Sequence, residues 1–308
     1  MSNFLYPPRA STYAGEVDAL MNFINYLSIF FWVLITGLIL YFAWRYRKGN
    51  HQAAPSHNTA LEITWTVIPT ILVVAIFVWG FKSFMVLSRA PGDAMEIHVT
   101  GQKWSWSFEY PEHGVRTMNE LVVPANQPVK LIMNSSDVIH SFWIPSFRNK
   151  MDVLPGRTTT LWFEATEEGD YRFYCTEYCG DAHWNMKGDV KVVSAEAFHE
   201  WVEENSKEDT TTPLPELGAK LFQSKACFTC HTTDGTSSIG PTLKGVFGHD
   251  VELADGKSVL ADEDYLRESI LQPGAKIVKG FAPAMPSYQG QLSEREINGL
   301  IEYIKSLK

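Results

Sequence analysis

The side chains best suited to redox chemistry are concentrated in two short runs. The first, from Cys175 to Met186, reads CTEYCGDAHWNM and contains two thiols, an imidazole and a thioether. Sulfur and imidazole ligands packed this closely select copper. The second run, CFTCH at residues 227–231, is the attachment pattern of a c-type haem. Because these runs contain all four cysteines of the chain, the sequence predicts an electron-transfer protein.

The spacing inside the first run suits a pair of copper ions held by two thiolates. Three residues separate Cys175 from Cys179, and Gly180 allows the tight turn that would point both thiolates into one pocket. The alternative is a disulfide between these two cysteines. A disulfide leaves His140 unexplained, because a buried imidazole at the end of an apolar strand needs a polar partner. We therefore expect a copper site that includes His140.

The CFTCH run is a weak pattern by itself, since a zinc knuckle or a redox dithiol can share it. In a haem site, Cys227 and Cys230 would form the thioethers and His231 would take one axial position of the iron. For the other axial position we predict Met285, the only methionine after residue 215. The alternative role for Met285 is to fill a gap in the core. His249 is a rival ligand, which we expect to lie in a polar turn.

Two apolar stretches predict a transmembrane hairpin. We predict spans at residues 22–44 and 63–88, each long enough to cross the roughly 30 Å hydrocarbon layer as a helix. The loop at residues 45–62 begins RYRK, so the positive-inside rule assigns it to the cytoplasm. Residues 1–21 and everything after the second span are then expected on the outer side, where haem c is normally attached.

The rest of the 308 residues divides by composition. Residues 89–195 contain short runs of alternating polarity separated by turn signals, which predicts an all-β sandwich or barrel. Residues 196–215 predict a short helix capped by Ser194, followed by an acidic, threonine-rich linker. Residues 216–308 contain three helical patterns, the last starting with the capping box SERE, and predict an all-α domain around the haem. The net charge of -9 gives no reason to expect a nucleic acid partner.

These features together closely resemble subunit II of the haem-copper cytochrome c oxidases. The resemblance extends from the first span through the β domain, and the added haem domain is similar to that of the fused caa3-type subunit. The motifs that carry it are EITW at 62–65, WSW at 104–106, HSFWIP at 140–145, DVLPGR at 152–157, the copper run, and GPTL at 240–243. The resemblance implies a cupredoxin-like Greek-key barrel after the hairpin and a class I cytochrome c domain at the end.

The resemblance also implies the ligands of a dinuclear copper A centre. They would be the side chains of His140, Cys175, Cys179, His183 and Met186, and the backbone carbonyl of Glu177. The two thiolates would bridge both coppers, and His140 with Met186 would complete one of them. His183 and the Glu177 carbonyl would complete the other. The Glu177 carboxylate would bind a magnesium ion at the boundary with subunit I.

Three further residues acquire expected roles from the resemblance. The Pro241 carbonyl would accept the proton of the axial His231. Glu62 would be the entrance of a proton pathway into subunit I, although an acid at the start of a span is more often only interfacial. Trp104 would be the point at which electrons enter from a cytochrome c, although a strand tryptophan is by default a core residue.

We therefore predict the electron-accepting subunit of a terminal oxidase in a bacterial inner membrane. An external cytochrome, iron–sulfur protein or docked complex would donate electrons to the haem, and copper A would pass them to subunit I, with subunit III as a further partner. Oxygen reduction and proton pumping would belong to the complex, because this chain has too few spans for a haem–copper site. The alternatives are a copper A subunit of a nitric oxide reductase, a quinol-oxidase-type subunit without copper, and a free-standing electron carrier or copper-delivery protein.

Overall fold

The computed structural model describes residues 6–48, 57–207 and 209–308. The chain begins with two long helices, α1 (Ala14–Arg45) and α2 (Thr59–Leu87). Their most apolar windows have mean hydropathies of 2.1 and 2.2, and both helices expose many bulky apolar side chains, as a lipid-facing surface requires. Helix α1 begins before the span predicted from residue 22, and α2 before the span predicted from residue 63. Residues 49–56 of the predicted cytoplasmic loop lie outside the described residues.

The first turns of α1 pack beside the last turns of α2. Ser83 donates a hydrogen bond of 3.2 Å to Glu16, and the ring centroids of Phe23 and Trp79 are 5.8 Å apart. The two helices are therefore antiparallel, which confirms the predicted hairpin.

Ten strands follow the hairpin and form the predicted β domain. They are β1 (Met95–Gln102), β2 (Ser105–Tyr110), β3 (Val115–Met118), β4 (Glu120–Pro124), β5 (Pro128–Ser135), β6 (His140–Ile144), β7 (Asn149–Val153), β8 (Thr159–Glu164), β9 (Gly169–Cys175) and β10 (Lys187–Val193). They make two five-stranded sheets, in the orders β3-β2-β1-β5-β8 and β4-β10-β9-β6-β7. The pairs β1–β5 and β4–β10 are parallel, and the other neighbours are antiparallel. The domain is a cupredoxin-like sandwich.

An aromatic layer fills the space between the two sheets. Trp106 and Phe108 of β2 are fully buried, as are Phe142 of β6 and Phe173 of β9. The ring centroids of Phe142 are 4.9 Å from Phe173 and 5.1 Å from Trp106. Alternate residues of each strand point to the same face, so β2 of one sheet and β6 and β9 of the other supply rings to a single core. This core supports the strands that carry the copper run.

Residues just before the first membrane helix and in its first turns are built into the β domain. The Tyr13 hydroxyl donates to the Trp162 carbonyl at 2.8 Å and accepts from the Asn149 amide at 3.1 Å. Asp18, almost completely buried, forms an ion pair of 2.7 Å with Arg148. The described part of the N-terminal segment therefore does not form a separate unit.

Four shorter helices follow the β domain: α3 (Ala195–Ser206), α4 (Leu214–Ser224), α5 (Glu263–Leu271) and α6 (Glu294–Ser306). Ser194 caps α3 by accepting a 3.1 Å bond from the Ala197 N–H, as predicted. Ser293 and Glu296 form the predicted capping box of α6. The helical domain at residues 216–308 also contains a small antiparallel hairpin that was not predicted, β11 (Asp250–Glu252) with β12 (Ser258–Leu260).

Helices α4 and α6 touch at two glycines and form the base of the haem domain. A Cβ atom on Gly218 would lie 2.0 Å from the carbonyl oxygen of Gly299. Only a residue without a side chain allows the two backbones to approach this closely. The buried apolar stripe of α6 predicted from the sequence lies in this domain's core and consists of Ile297, Leu300, Ile301 and Ile304.

Candidate metal and haem centres

The first half of the copper run gathers ligand atoms around the Cys175 thiol. The sulfur atoms of Cys175 and Cys179 are 3.9 Å apart, and both are free thiols. His140 Nδ1 lies 3.9 Å from Cys175 Sγ, and the Glu177 carbonyl oxygen lies 3.3 Å from the same sulfur. Since a metal–thiolate bond is about 2.3 Å long, one ion could bond to both sulfurs.

The second half of the run gathers ligand atoms around the Cys179 thiol. His183 Nδ1 is 3.5 Å from Cys179 Sγ, and Met186 Sδ is 3.6 Å from it. All six predicted ligands are therefore close together. His140 and the Glu177 carbonyl group with Cys175, whereas His183 and Met186 group with Cys179. The division of ligands between two coppers stays a prediction.

Strand pairing explains why residues far apart in sequence meet here. His140 is the first residue of β6 and Cys175 is the last of β9, and these strands are neighbours in one sheet. The Cys175 N–H donates to the Met186 carbonyl at 2.9 Å, which closes the base of the loop. A 3-10 turn at His183–Asn185 then directs the second imidazole toward the thiols.

Burial makes this pocket suited to a cation. His140, Cys175, Cys179 and Met186 are all buried. Burial is the main cause that raises the pKa of the Cys179 thiol to about 12, and the neighbouring Cys175 thiol adds to this effect. Burial also lowers the pKa of His140. Thiolate anions in this pocket therefore need a positive charge beside them. A soft metal ion provides that charge, so the residues present fit copper.

Asp137 is the polar partner that the buried His140 requires, and it was not among the predicted site residues. Its carboxylate is 2.9 Å from His140 Nε2 and accepts the N–H groups of Lys103 at 2.8 Å and Val138 at 2.6 Å. Burial opposes ionisation of Asp137, but these hydrogen bonds outweigh it and lower its pKa. A carboxylate behind a ligating histidine orients the ring and raises its basicity. The signal available in the sequence was an acid three residues before the histidine.

The carboxylates of two acids with predicted roles are not among the ligand atoms of this pocket. The Glu177 side chain is exposed, and the group of candidate metal ligands found among the described residues contains His140, Cys175 and Cys179. A magnesium site at the Glu177 carboxylate therefore has no support in this chain. Glu62 lies in the first turn of α2, where its carboxylate accepts the Asn58 N–H at 3.2 Å.

The haem run lies in an apolar cleft that the two soluble domains share. Cys227, Cys230, His231 and Met285 all line this cleft. Its walls include Leu243, Val246, Leu266, Ile270, Phe281 and Leu300. Burial raises the pKa of the Cys227 thiol to about 11. Two thiols, an imidazole and a thioether around an apolar cleft are the groups that covalent haem c needs, so the residues fit this cofactor.

One side of the His231 ring is already engaged, which leaves the other nitrogen for a metal. Nδ1 is 2.8 Å from the Pro241 carbonyl, as the resemblance implied. Burial lowers the pKa of this imidazole, and the bond to Pro241 raises it in part. Gly240 lies against the ring, where a Cβ atom would be 2.7 Å from its Cε1. The orientation of His231 therefore depends on both residues of the Gly-Pro pair.

The segment around Met285 is fixed to the haem domain by Tyr288. The Tyr288 hydroxyl donates to the Lys225 carbonyl at 2.9 Å, two residues before Cys227. His249 is exposed and its Nδ1 lies 3.3 Å from the Phe247 carbonyl, as expected for a polar turn. Of the two candidates for the second axial position, only Met285 lines the cleft.

Trp104 lies between the two centres. Its indole N–H donates to the Cys179 carbonyl at 3.2 Å, and the ring packs on Gly180, where a Cβ atom would be 3.1 Å from it. The same side chain also lines the haem cleft. Trp104 therefore contacts the copper run and faces the haem domain of its own chain. Trp106, the other tryptophan of the WSW motif, is fully buried in the core.

Profiles of known families match each of the three parts of the chain. The profile for the cytochrome c oxidase subunit II transmembrane domain matches residues 1–84, that for the periplasmic domain of the same subunit matches residues 114–193, and that for cytochrome c matches residues 215–308. The three matches follow the order of the hairpin, the β sandwich and the helical domain.

Individual relatives agree with these matches. Cytochrome c oxidase subunit 2 of Alkalihalophilus pseudofirmus is 34% identical over 274 residues, covering 85% of this chain and 78% of its own. Cytochrome c oxidase subunit 2 of Bacillus subtilis is 31% identical over 309 residues, covering 91% and 82%. The crystal structure of the periplasmic domain of subunit II from Bradyrhizobium japonicum is 32% identical, covers 38% of this chain and 96% of its own, and has a TM-score of 0.37. On the evidence of the three profile matches and the two subunit 2 relatives, the chain belongs to the cytochrome c oxidase subunit II family, as a caa3-type member with a fused cytochrome c domain, and its function is electron transfer to the oxidase.

Proposed function

We infer that this subunit holds a dinuclear copper A centre in its β domain and a haem c in its helical domain. The copper ligands would be His140, Cys175, Cys179, His183, Met186 and the Glu177 carbonyl. The haem would be held by Cys227, Cys230, His231 and Met285. When bound, the two groups would supply one-electron carriers between an external donor and subunit I. The observation that carries this proposal is the convergence of six ligand atoms around two buried thiols.

The protein's contribution to electron transfer would be to hold the ligands still. His140 and Cys175 are anchored in adjacent strands, and the loop between Cys175 and Met186 is closed by a backbone hydrogen bond. Asp137 fixes the His140 ring through the 2.9 Å contact. Because ligands held in this way move little when the charge of the site changes, the reorganisation that accompanies each transfer is small.

Trp104 would provide the path between the two sites. It lines the haem cleft and is bonded to the backbone of Cys179. This would make Trp104 the point at which electrons enter copper A from the fused haem, in place of a separate cytochrome c.

The membrane part would anchor the subunit in a bacterial inner membrane, with both termini on the periplasmic side. The contacts of Tyr13 with the β domain support this topology, because the start of α1 must then lie on the same side as that domain. The hairpin would bind subunit I, with subunit III as a further partner, and Glu62 would open a proton pathway toward subunit I. The magnesium ion expected at Glu177 is not part of the proposal.

The alternatives raised by the sequence are less well supported. A quinol-oxidase-type subunit would not need thiols, imidazoles and a thioether gathered in one buried pocket. A free-standing carrier would not need the hairpin. The relatives named above are oxidase subunits, which favours oxygen over nitric oxide as the substrate of the complex.

The test is a Cys179→Ser variant in the intact oxidase, compared with Asp181→Asn, which changes an exposed residue of the same loop. We expect the parent and Asp181→Asn to show an electron paramagnetic resonance signal from one electron shared by two coppers. Cys179→Ser should lose this signal and keep haem c, and reduction of haem c should no longer be followed by reduction of subunit I. Normal turnover by Cys179→Ser would refute the proposal.

A further inference from the structure

Strand β3 of the copper domain contacts the loop that carries Met285. The sulfur of Met118, the last residue of β3, is 3.4 Å from the Tyr288 hydroxyl. Arg116 of the same strand donates to the Gly290 carbonyl at 2.9 Å. Two side chains of one domain therefore hold two positions of a single loop in the other, five residues or fewer from Met285.

Met118 is packed in the haem domain and not in its own. It is only 9% exposed, and its contacts assign it to the apolar core formed by α4, α5, α6 and Tyr288. It also lines the haem cleft. An apolar side chain of one domain that is buried in the core of another stabilises the contact between the two domains. Separating the domains would expose this side chain and the apolar core around it to water.

Arg116 adds a polar contact beside Met118. One guanidinium nitrogen bonds to the Gly290 carbonyl, and another pairs with Glu109 of β2 at 2.8 Å. The pairing with Glu109 holds the side chain in the direction of the haem domain. The planar guanidinium presents several donors in a rigid arrangement, which suits it to join two partners at once.

The loop is held by its own domain as well as by β3. Residues 281–292 contain no helix or strand, and they include the prolines on either side of Met285 in PAMP. The Tyr288 N–H donates to the Ile270 carbonyl at 3.2 Å, and Ser287 donates to Leu271 at 2.6 Å. With the Tyr288–Lys225 bond, these contacts tie the loop to the haem domain, and Met118 and Arg116 add contacts from β3.

We propose that Met118 and Arg116 form an interdomain clasp that positions the Met285 loop over the haem cleft. The copper domain then controls the axial ligation of the haem as well as accepting its electrons. Met118 and Arg116 are positioning residues, since they act through Tyr288 and Gly290. This proposal rests on the proposed function, in which Met285 is the second axial ligand.

The experiment is a Met118→Ala/Arg116→Gln double variant in the intact, metal-loaded oxidase. Loss of the clasp should make amide hydrogen exchange in the peptide covering residues 283–292 about tenfold faster, which corresponds to roughly one broken buried contact. The absorption band of methionine bound to oxidised haem should weaken, and the haem reduction potential should fall, because a methionine ligand raises it. The copper signal should stay unchanged.

Two controls separate the clasp from general destabilisation. Met118→Leu keeps the apolar volume and should behave like the parent protein. Arg172→Gln removes a surface arginine whose partner, Asp189, lies in the same domain, and should alter none of the three measurements.

The outcomes distinguish failure of the clasp from failure of the proposed function. If the double variant leaves exchange, the methionine band and the potential unchanged, β3 does not position the loop and the clasp is wrong. If the parent protein itself has no methionine band, the assignment of Met285 in the proposed function is wrong, and the clasp falls with it.

Discussion

Asparagine at position 137 would remove the charge behind the buried His140 while keeping the shape of the side chain. The Asp137 carboxylate faces the His140 ring at 2.9 Å and accepts two backbone N–H groups, from Lys103 and Val138. Asparagine has one acceptor oxygen and one amide donor in place of two acceptors. If its oxygen stays with His140 and Val138, its amide faces the Lys103 N–H, and two donors then oppose each other.

The size of the effect follows from the bonds that are lost. A hydrogen bond to a charged group contributes about 1.5–3 kcal/mol, and each 1.4 kcal/mol corresponds to about tenfold in an equilibrium constant. Removing the partner of a ligating histidine typically lowers metal affinity by about 10- to 100-fold. We therefore expect Asp137→Asn to lower copper affinity by about 10- to 100-fold. His140 would still be present, so the site should bind copper weakly and not lose it completely.

The assay is removal of copper from the intact oxidase by a graded series of chelator concentrations, followed through the copper signal. Asp189→Asn is the matched control, because Asp189 forms an exposed ion pair of 3.4 Å with Arg172 in the same domain. The control should keep the parent affinity. A copper affinity for Asp137→Asn within twofold of the parent, together with an unchanged spectrum, would refute the role given to Asp137.

Three further predictions concern the copper thiol, the axial histidine and the base of the haem domain. Burial raises the pKa of the Cys179 thiol to about 12, so copper must displace the thiol proton at neutral pH. This thiol alone should make the apparent copper affinity rise by about tenfold per pH unit. Chelator competition at several pH values measures this, and a pH-independent affinity would contradict it. Gly240→Ala would place a Cβ atom 2.7 Å from the His231 ring, and such overpacking costs about 1–3 kcal/mol. The ring should therefore turn and the haem spectrum should change. An unaltered haem spectrum would show that this contact does not set the orientation of His231. Gly218→Ala would place a Cβ atom 2.0 Å from the Gly299 carbonyl oxygen. A cost of about 3 kcal/mol, less about 1 kcal/mol of better helix propensity, should lower the stability of the haem domain by about 2 kcal/mol in thermal unfolding, and an unchanged melting temperature would contradict it.

Local signals explain what could be predicted from the sequence. The caps at Ser194 and Ser293 depend on contacts within a few residues, and both formed as predicted. The copper run is similar, because Cys175 through Met186 bring most of the ligand atoms together within one loop. The alternating strands were recognisable from period-two patterning. In each case the interacting groups are close in sequence, so their spacing is enough to indicate the structure.

Contacts between distant segments could not be read in this way. Met118 and Tyr288 are 170 positions apart, and nothing in the pattern of either segment indicates the other. The hairpin of β11 and β12 has only three residues in each strand, too few for a reliable alternation. Asp137 was closer, but an acid three residues before a histidine is common on the surface, and only the turn into β6 brings the two side chains together.

The hydrogen bonds between Tyr13 and the β domain have a consequence for biogenesis. Tyr13 precedes both membrane helices in the sequence, whereas its partners Trp162 and Asn149 follow them. These contacts can therefore form only after the hairpin has been inserted and the first residues have been exported to the same side. Until then, the polar groups that Tyr13 satisfies remain unpaired. Formation of these hydrogen bonds therefore requires correct insertion of the hairpin, and a fragment that starts after the second helix would lack them.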